Sequence, residues 1–230
     1  MEGINRSEQM LVTVAAALGP ELLPTVAFVG GCTTGLLLTD PFTKEQVRYT
    51  EDVDLIVSVI GFIEWQRFES KLRERGFAPD PDLNCRMRLN GLKVDFMPDD
   101  ANILSYTNRW YSEALRTAEW HVLNENISIR LVTPPYFLAT KLEAYRGRGN
   151  NDPLMSHDIE DILNLLDGRP EVISELSQAA DPILIAYLAA DLRTLLETPN
   201  FEYAVQSACR GDTEREEFLF ERIEAVSQLG

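Results

Sequence analysis

Three carboxylates carry the chemistry this sequence can do. Asp52 and Asp54 stand in "RYTEDVDLIV" (residues 48–57), at the start of a run whose Val53, Leu55, Ile56 and Val57 are aliphatic and mostly β-branched. Such a run reads as a buried strand. Alternate side chains of a strand share a face, so Asp52 and Asp54 point the same way, roughly 7 Å apart by the strand rise. Two like charges at the lip of a core repel each other and resist desolvation. A bound divalent cation would remove both penalties. Asp95, in "LKVDFM", lies on a later strand that could pair beside the first. Three converging carboxylates with no His or Cys beside them suit a hard ion such as Mg²⁺. Two such ions can activate an attacking oxygen and steady a leaving phosphate. Without an ion, the same residues read as acidic groups capping a strand end at the surface.

The elements around these residues follow from the pattern. Residues 7–19 have a helical spacing that ends near Gly19-Pro20. "TVAFVGG" reads as a strand running into a glycine turn, and "CTTGLLLTD" as a helix starting there, with a loop through Pro41 behind it. The backbone N–H groups of Gly30, Gly31, Cys32 and Thr33 would then sit at a helix N-terminus, where a phosphate can approach closely. The alternative is a plain tight turn. Phe62, Trp65, Phe68 and Leu72 recur at helical spacing before a stop at Gly76. "CRMRLNGLKVDFMP" contains two alternating runs joined by Asn90-Gly91, a type I′ hairpin signal. After a mixed stretch around "NRWYSEALRTAEW", two short strands near "HVL" and "ISIRLV" flank "NEN". From Thr133 onward the pattern is helical throughout, over about 136–147, 157–167, 170–179, 182–197, 200–209 and 213–228. The expected organisation is an α/β (α+β) domain over 1–133, with a mixed sheet, and an all-helical domain over 134–230.

Composition narrows the function classes. The 230 residues are 45% hydrophobic and 25% charged, as in an ordinary globular protein. No apolar run reaches the ~18 residues needed to span a bilayer, so no membrane association is expected. "MLVTVAAALG" is flanked by Glu2 and Glu8 and lacks a basic leading segment, so it reads as an amphipathic helix rather than a signal peptide. Cys32, Cys85 and Cys209 are odd in number and widely spaced, which argues against a disulfide framework and fits the cytoplasm. The net charge of −16 disfavours an extended nucleic-acid surface. Local basic clusters remain at Arg86, Arg88 and Lys93 and at Lys141, Arg146 and Arg148.

"GGCTTGLLL…RYTEDVDLIV", followed by Asp95, resembles the signature of the DNA polymerase beta-like nucleotidyltransferase superfamily over residues 26–97. Within it, Arg-Tyr-Thr-Glu-Asp-Val-Asp is similar to the AbiEii-type nucleotidyltransferases, the toxin halves of type IV toxin–antitoxin systems. "TPPYFLATKLEAYRGRGNNDPLMSHDIEDILNLL" resembles that family's later motifs, with Lys141, Arg146, Asp158 and Asp161 at the matching positions. Cys32 stands where Ser or Thr is usual, and His157 where a basic residue often precedes the first Asp.

The resemblance implies a magnesium-dependent transferase that moves a nucleoside monophosphate from an NTP to an acceptor hydroxyl, in a cleft between the two domains. It implies two Mg²⁺ ions on Asp52 and Asp54, with Asp95 holding the metal near the acceptor and helping to deprotonate it. Gly30, Gly31, Cys32 and Thr33 would contact the nucleotide, Lys141 would steady the triphosphate, and Asp158 would serve the same catalytic set. The implied partners are a cognate antitoxin and, as acceptor, tRNA or a protein. A small-molecule (aminoglycoside-like) nucleotidyltransferase and a non-catalytic antitoxin-binding protein are the alternatives. Read from the residues alone, Lys141 is one of four lysines beside seventeen arginines and shares a helix face with Tyr145 and Arg148. That stripe suits either a triphosphate or solvent. Asp158 and Asp161, three apart on one face, could orient Lys141 or an arginine, or form a surface ion pair worth little.

Overall fold

The computed structural model describes residues 2–59, 61–104, 107–148, 152–179 and 181–229, with side chains from residue 6 onward. It is a mixed α/β structure with a seven-stranded mixed sheet and eleven α-helices among the described residues. The chain divides into two compact units, one of residues 1–33 and 48–133, the other of 34–47 and 134–230.

The first unit holds the whole sheet. Its strands are β1 (Val26–Val29), β2 (Asp52–Val57), β3 (Ala78–Pro79), β4 (Arg86–Leu89), β5 (Leu92–Pro98), β6 (Glu119–Asn124) and β7 (Ile127–Leu131), in the order β3-β4-β5-β2-β1-β7-β6. β2 runs parallel to β5 and β1 parallel to β7; the other neighbours are antiparallel. The central strands β1 and β2 are aliphatic because both faces are covered, and Val26, Ala27, Phe28, Val53, Leu55 and Ile56 are wholly buried. Helix α1 (Glu2–Leu22) is interrupted at Gly19, which has a φ of 62°. Helix α4 (Gly61–Glu74) places Phe68 edge-on against Phe96 of β5, with Phe77 on the same ring. The hairpin β4–β5 turns through Asn90 (φ 53°) and Gly91 (φ 88°), the two positive φ values a type I′ turn requires.

Two elements differ from the sequence pattern. "CTTGLLLTD" forms a 3₁₀ turn over Gly31–Thr33 and a single α turn, α2 (Thr34–Leu37), rather than one helix. The chain then restarts as α3 (Pro41–Gln46) in the stretch expected to be a loop. Proline disfavours helical ψ in the residue before it, so Asp40 is extended (ψ 118°) and the chain does not run straight from α2 into α3. The same Asp40 then accepts the Thr43 N–H and caps the second, with Pro41 at its first turn. The mixed stretch resolves into α5 (Tyr111–Thr117).

In the second unit, α6 (Pro134–Arg148), α7 (His157–Gly168), α8 (Val172–Gln178), α9 (Pro182–Leu196), α10 (Phe201–Cys209) and α11 (Thr213–Ser227) follow one another. Ser156, Asp181 and Asp212 cap α7, α9 and α11 through side-chain bonds to first-turn N–H groups. Helix α7 is the centre of this unit: Ile159, Ile162, Leu163, Leu165 and Leu166 are buried, and α2, α3, α6, α10 and α11 pack on it. Residues 34–47 group with these helices through specific bonds. Gly168 accepts the N–H groups of Thr39 and Asp40 (both 2.9 Å), and Arg169 donates to the Leu37 carbonyl (2.7 Å). Arg215 pairs with Asp40 (2.8 Å) and Asp167 (2.6 Å).

Candidate metal centre

The register of the sheet assembles the acidic cluster. Asp54 of β2 lies directly beside Asp95 of β5, and Asp52 lies two residues earlier on the same face. One ligand oxygen from each of Asp52, Asp54 and Asp95 falls within 4.8 Å of the other two. Among the described residues this is the one group of three or more acidic, His or Cys side chains placed to hold a metal ion. Farther along β2, Ile56 on the carboxylate face is fully buried, so the triad sits where the strand emerges from the core. Asp52 and Asp54 are half-buried, and Asp95 is 9% exposed.

Gly30 closes this site from the side of β1. Val29 pairs with Asp54, and the chain turns immediately afterwards at Gly30, with φ +82°. A Cβ there would overlap the Asp54 carboxylate, lying 2.8 Å from its Cγ. Only glycine provides both that backbone angle and that room. The donor set is all oxygen, which fits a hard divalent ion such as Mg²⁺ in chemistry, and the bare backbone at Gly30 leaves the carboxylate its place.

The other residues of the expected phosphate cradle lie on the turn after β1. Gly31, Cys32 and Thr33 are buried. The Thr33 N–H and hydroxyl both donate to the Gly30 carbonyl (3.1 and 2.8 Å), and the Cys32 thiol points at the Val29 carbonyl (3.5 Å). Thr33 thereby ties the 3₁₀ turn back to Gly30 at the end of β1.

One residue belongs to the centre that the sequence pattern assigned elsewhere. Arg86 of β4 lies directly opposite Asp95 in the hairpin. Its Nε and Nη2 donate to the two oxygens of Asp95 (2.6 and 2.8 Å), and Nη2 also reaches Asp52 Oδ2 (3.2 Å). The Asp95 hydrogen bonds push the Arg86 guanidinium pKa up from its ordinary value, against the opposing effect of burial. The signal was present: a two-residue turn at Asn90-Gly91 pairs 89 with 92 and therefore 86 with 95. Arg88 is tied to Asp80 (2.6 Å) and Lys93 to Glu51 (2.9 Å).

The second unit carries a separate charged cluster. Lys141 of α6, 6% exposed, places Nζ 2.6 Å from Asp161 and 3.3 Å from Asp158 of α7. Arg148 holds Asp158 with two bonds of 3.0 Å, and the Thr34 hydroxyl donates to Asp161 (3.2 Å). Burial opposes ionisation of Asp158, but Arg148 and Lys141 outweigh it and hold the carboxyl below its usual range. The helical spacing of Lys141 and Arg148 on α6, and of Asp158 and Asp161 on α7, accounts for the meeting. Arg146 pairs with Asp191 (3.2 Å), and His157 sits on the surface beside Glu160 (3.2 Å).

No described helix is long and apolar enough to cross a membrane. Neither a protein-family model nor a curated protein matches the chain.

Proposed function

We propose that the protein is a metal-dependent nucleotidyltransferase with a polymerase-beta-like catalytic domain and a C-terminal helical domain. The observation that carries this reading is the convergence of Asp52, Asp54 and Asp95, within 4.8 Å, from two strands paired in register. Asp52, Asp54 and Asp95 would hold Mg²⁺, which when bound polarises phosphoryl oxygens and lowers the pKa of a coordinated hydroxyl. The acceptor oxygen forms a bond to the α-phosphorus of the NTP while the α–β phosphoanhydride bond breaks and pyrophosphate leaves. Asp95 would hold the metal near the acceptor and help to deprotonate it. Gly30, lacking a side chain, leaves Asp54 its position at the site. Lys141 is assigned to the triphosphate by the family resemblance; to bind a phosphate its amino group would have to loosen its bond to Asp158 or Asp161.

By the motif resemblance the protein would be the toxin of a toxin–antitoxin pair, with tRNA or a protein as acceptor. A second reading, a small-molecule acceptor, is favoured by one observation. The arginines that would contact RNA phosphates are each held by a carboxylate: Arg86 by Asp95, Arg88 by Asp80, Arg146 by Asp191 and Arg148 by Asp158.

The test is incubation with each α-labelled NTP, Mg²⁺, and separately total RNA, a cell lysate and an aminoglycoside. Label should enter one acceptor class with the wild type and none with Asp54→Asn, whose fold is checked by circular dichroism. Equal labelling by wild type and Asp54→Asn would end the metal-dependent reading.

A further inference from the structure

Beside the three carboxylates stands Arg86, whose role neither the carboxylate motif nor the nucleotide accounts for. It bonds to two of the three candidate ligands at once, so a cation of the protein itself stands on Asp52 and Asp95. The two attachments are unequal. Asp95 receives a fork of two short bonds, 2.6 and 2.8 Å, from a residue directly across the hairpin, whereas Asp52 receives one bond of 3.2 Å. An ionised carboxylate has about four lone-pair positions, so Asp95 can keep the fork and still offer an oxygen to a metal. The Asp52 oxygen is the weaker hold and the more exposed partner, with 36% of its side chain accessible against 13% for Asp95.

We propose that Arg86 is a built-in counter-ion for the triad, which releases Asp52 when a divalent cation enters and keeps its fork on Asp95. This rests on the metal-site reading above. Two consequences follow from charge and geometry. A guanidinium beside the ligands competes with the incoming ion and weakens its binding. The same guanidinium relieves repulsion among the three carboxylates in the metal-free protein and fixes the rotamer of Asp95, which makes Arg86 a positioning residue. Lysine would keep the charge and lose the fork.

The test measures Mn²⁺ binding by electron paramagnetic resonance, together with thermal unfolding with and without Mn²⁺. Arg86→Gln should bind Mn²⁺ about tenfold more tightly than wild type, because a competing charge has gone. Its metal-free melting temperature should fall, and saturating Mn²⁺ should raise it by more than in the wild type. Arg86→Lys should keep an affinity within about threefold of wild type, since the charge is retained. Adding Asp54→Asn to either background should abolish the tight binding, locating the ion at the triad. Unchanged or weaker Mn²⁺ binding in Arg86→Gln, with wild-type binding intact, would overturn the counter-ion role and leave the metal centre standing. No Mn²⁺ binding by the wild type would overturn both.

Discussion

The two charged clusters of the molecule are built on opposite plans. On α6 and α7, Lys141 reaches both Asp158 and Asp161, Arg148 also holds Asp158, and the Thr34 hydroxyl donates to Asp161. Both aspartates are deeply buried, at 4% and 0% exposure. In the sheet, among the described residues, Asp52 and Asp95 share the Arg86 guanidinium and Asp54 lies beside them, at a strand end that solvent can reach. Buried ions are tolerated when paired and hydrogen-bonded, and each member of such a cluster then depends on the others. A cluster with more anions than cations at an accessible edge is suited instead to accept a cation. The first plan ties α6 to α7 through buried pairs; the second leaves three carboxylates close enough together to share one cation.

The sharpest way to break that contrast is to remove one charge from each cluster. Lys141→Met leaves two carboxylates buried without their lysine and should cost ~3–5 kcal/mol. Asp54→Asn removes one charge from a repelling group and should cost no more than ~1 kcal/mol in metal-free protein, or stabilise it. Urea unfolding measures both. Comparable losses in the two variants would mean that the sheet cluster is as structural as the helical one.

A smaller effect tests whether the strand end is built for its carboxylate. Gly30→Ala introduces both a strained backbone at φ +82° and an overlap with Asp54. The strain costs ~1 kcal/mol and the overlap a further ~1–3 kcal/mol. Gly91, at φ +88° in the hairpin, has nothing within 4 Å of where a Cβ would stand, so Gly91→Ala should show the strain alone. Mn²⁺ binding should be lost in Gly30→Ala and kept in Gly91→Ala. Equal stability losses in the two would mean that Asp54 has room to move.

The helical unit should also show its paired charges in acid. Burial alone would raise the Asp40 pKa, but Arg215 and the Thr43 hydroxyl and N–H bring it down to about 2 from 3.8. A depressed carboxyl stabilises the fold above its unfolded pKa and loses that contribution as pH falls through the folded value. The loss should therefore run from about pH 4 down to about pH 2. With 30% of its side chain exposed, screening leaves it worth ~1–2 kcal/mol. Asp40→Asn keeps a helix cap and removes the ion pair, so its stability should be lower than wild type at pH 6 and equal below about pH 2. A constant difference across that range would assign the effect to the cap.

What the sequence reveals of this arrangement depends on how local the determining signal is. The shared face of Asp52 and Asp54 follows from strand alternation, and the six helices after Thr133 follow from 3.6-residue spacing. The pairing of Asp54 with Asp95 does not, because a parallel register is set by the packing of the sheet rather than by a turn. Arg86 was legible through the Asn90-Gly91 turn but read as a basic patch, since charge alone does not reveal that a partner stands opposite. Residues 34–47 precede the sheet's second strand in the chain yet group with the helices, because their bonds go to Gly168, Asp167 and Arg215. The meeting of Lys141 with Asp158 and Asp161 was half visible: each pair's helical face follows from spacing, while the facing of α6 and α7 is tertiary.

The smallest change concerns Cys32, which stands where the resembling family has Ser or Thr. Its side chain is 3% exposed and its thiol is directed at the Val29 carbonyl at 3.5 Å, on the turn that leads from β1. Cys32→Ser replaces a weak donor with a stronger one of slightly smaller size, so a firmer bond to that carbonyl offsets the lost apolar packing. The two effects oppose each other, and the stability change should stay within ~1 kcal/mol of zero. Mn²⁺ affinity should not change, because the hydroxyl has a buried backbone acceptor within reach and is not among the carboxylate ligands. Urea unfolding and Mn²⁺ titration of the same variant check both statements. An affinity change of several-fold would mean that the turn after β1 moves when the triad binds its ion, joining the two features the sheet now keeps distinct.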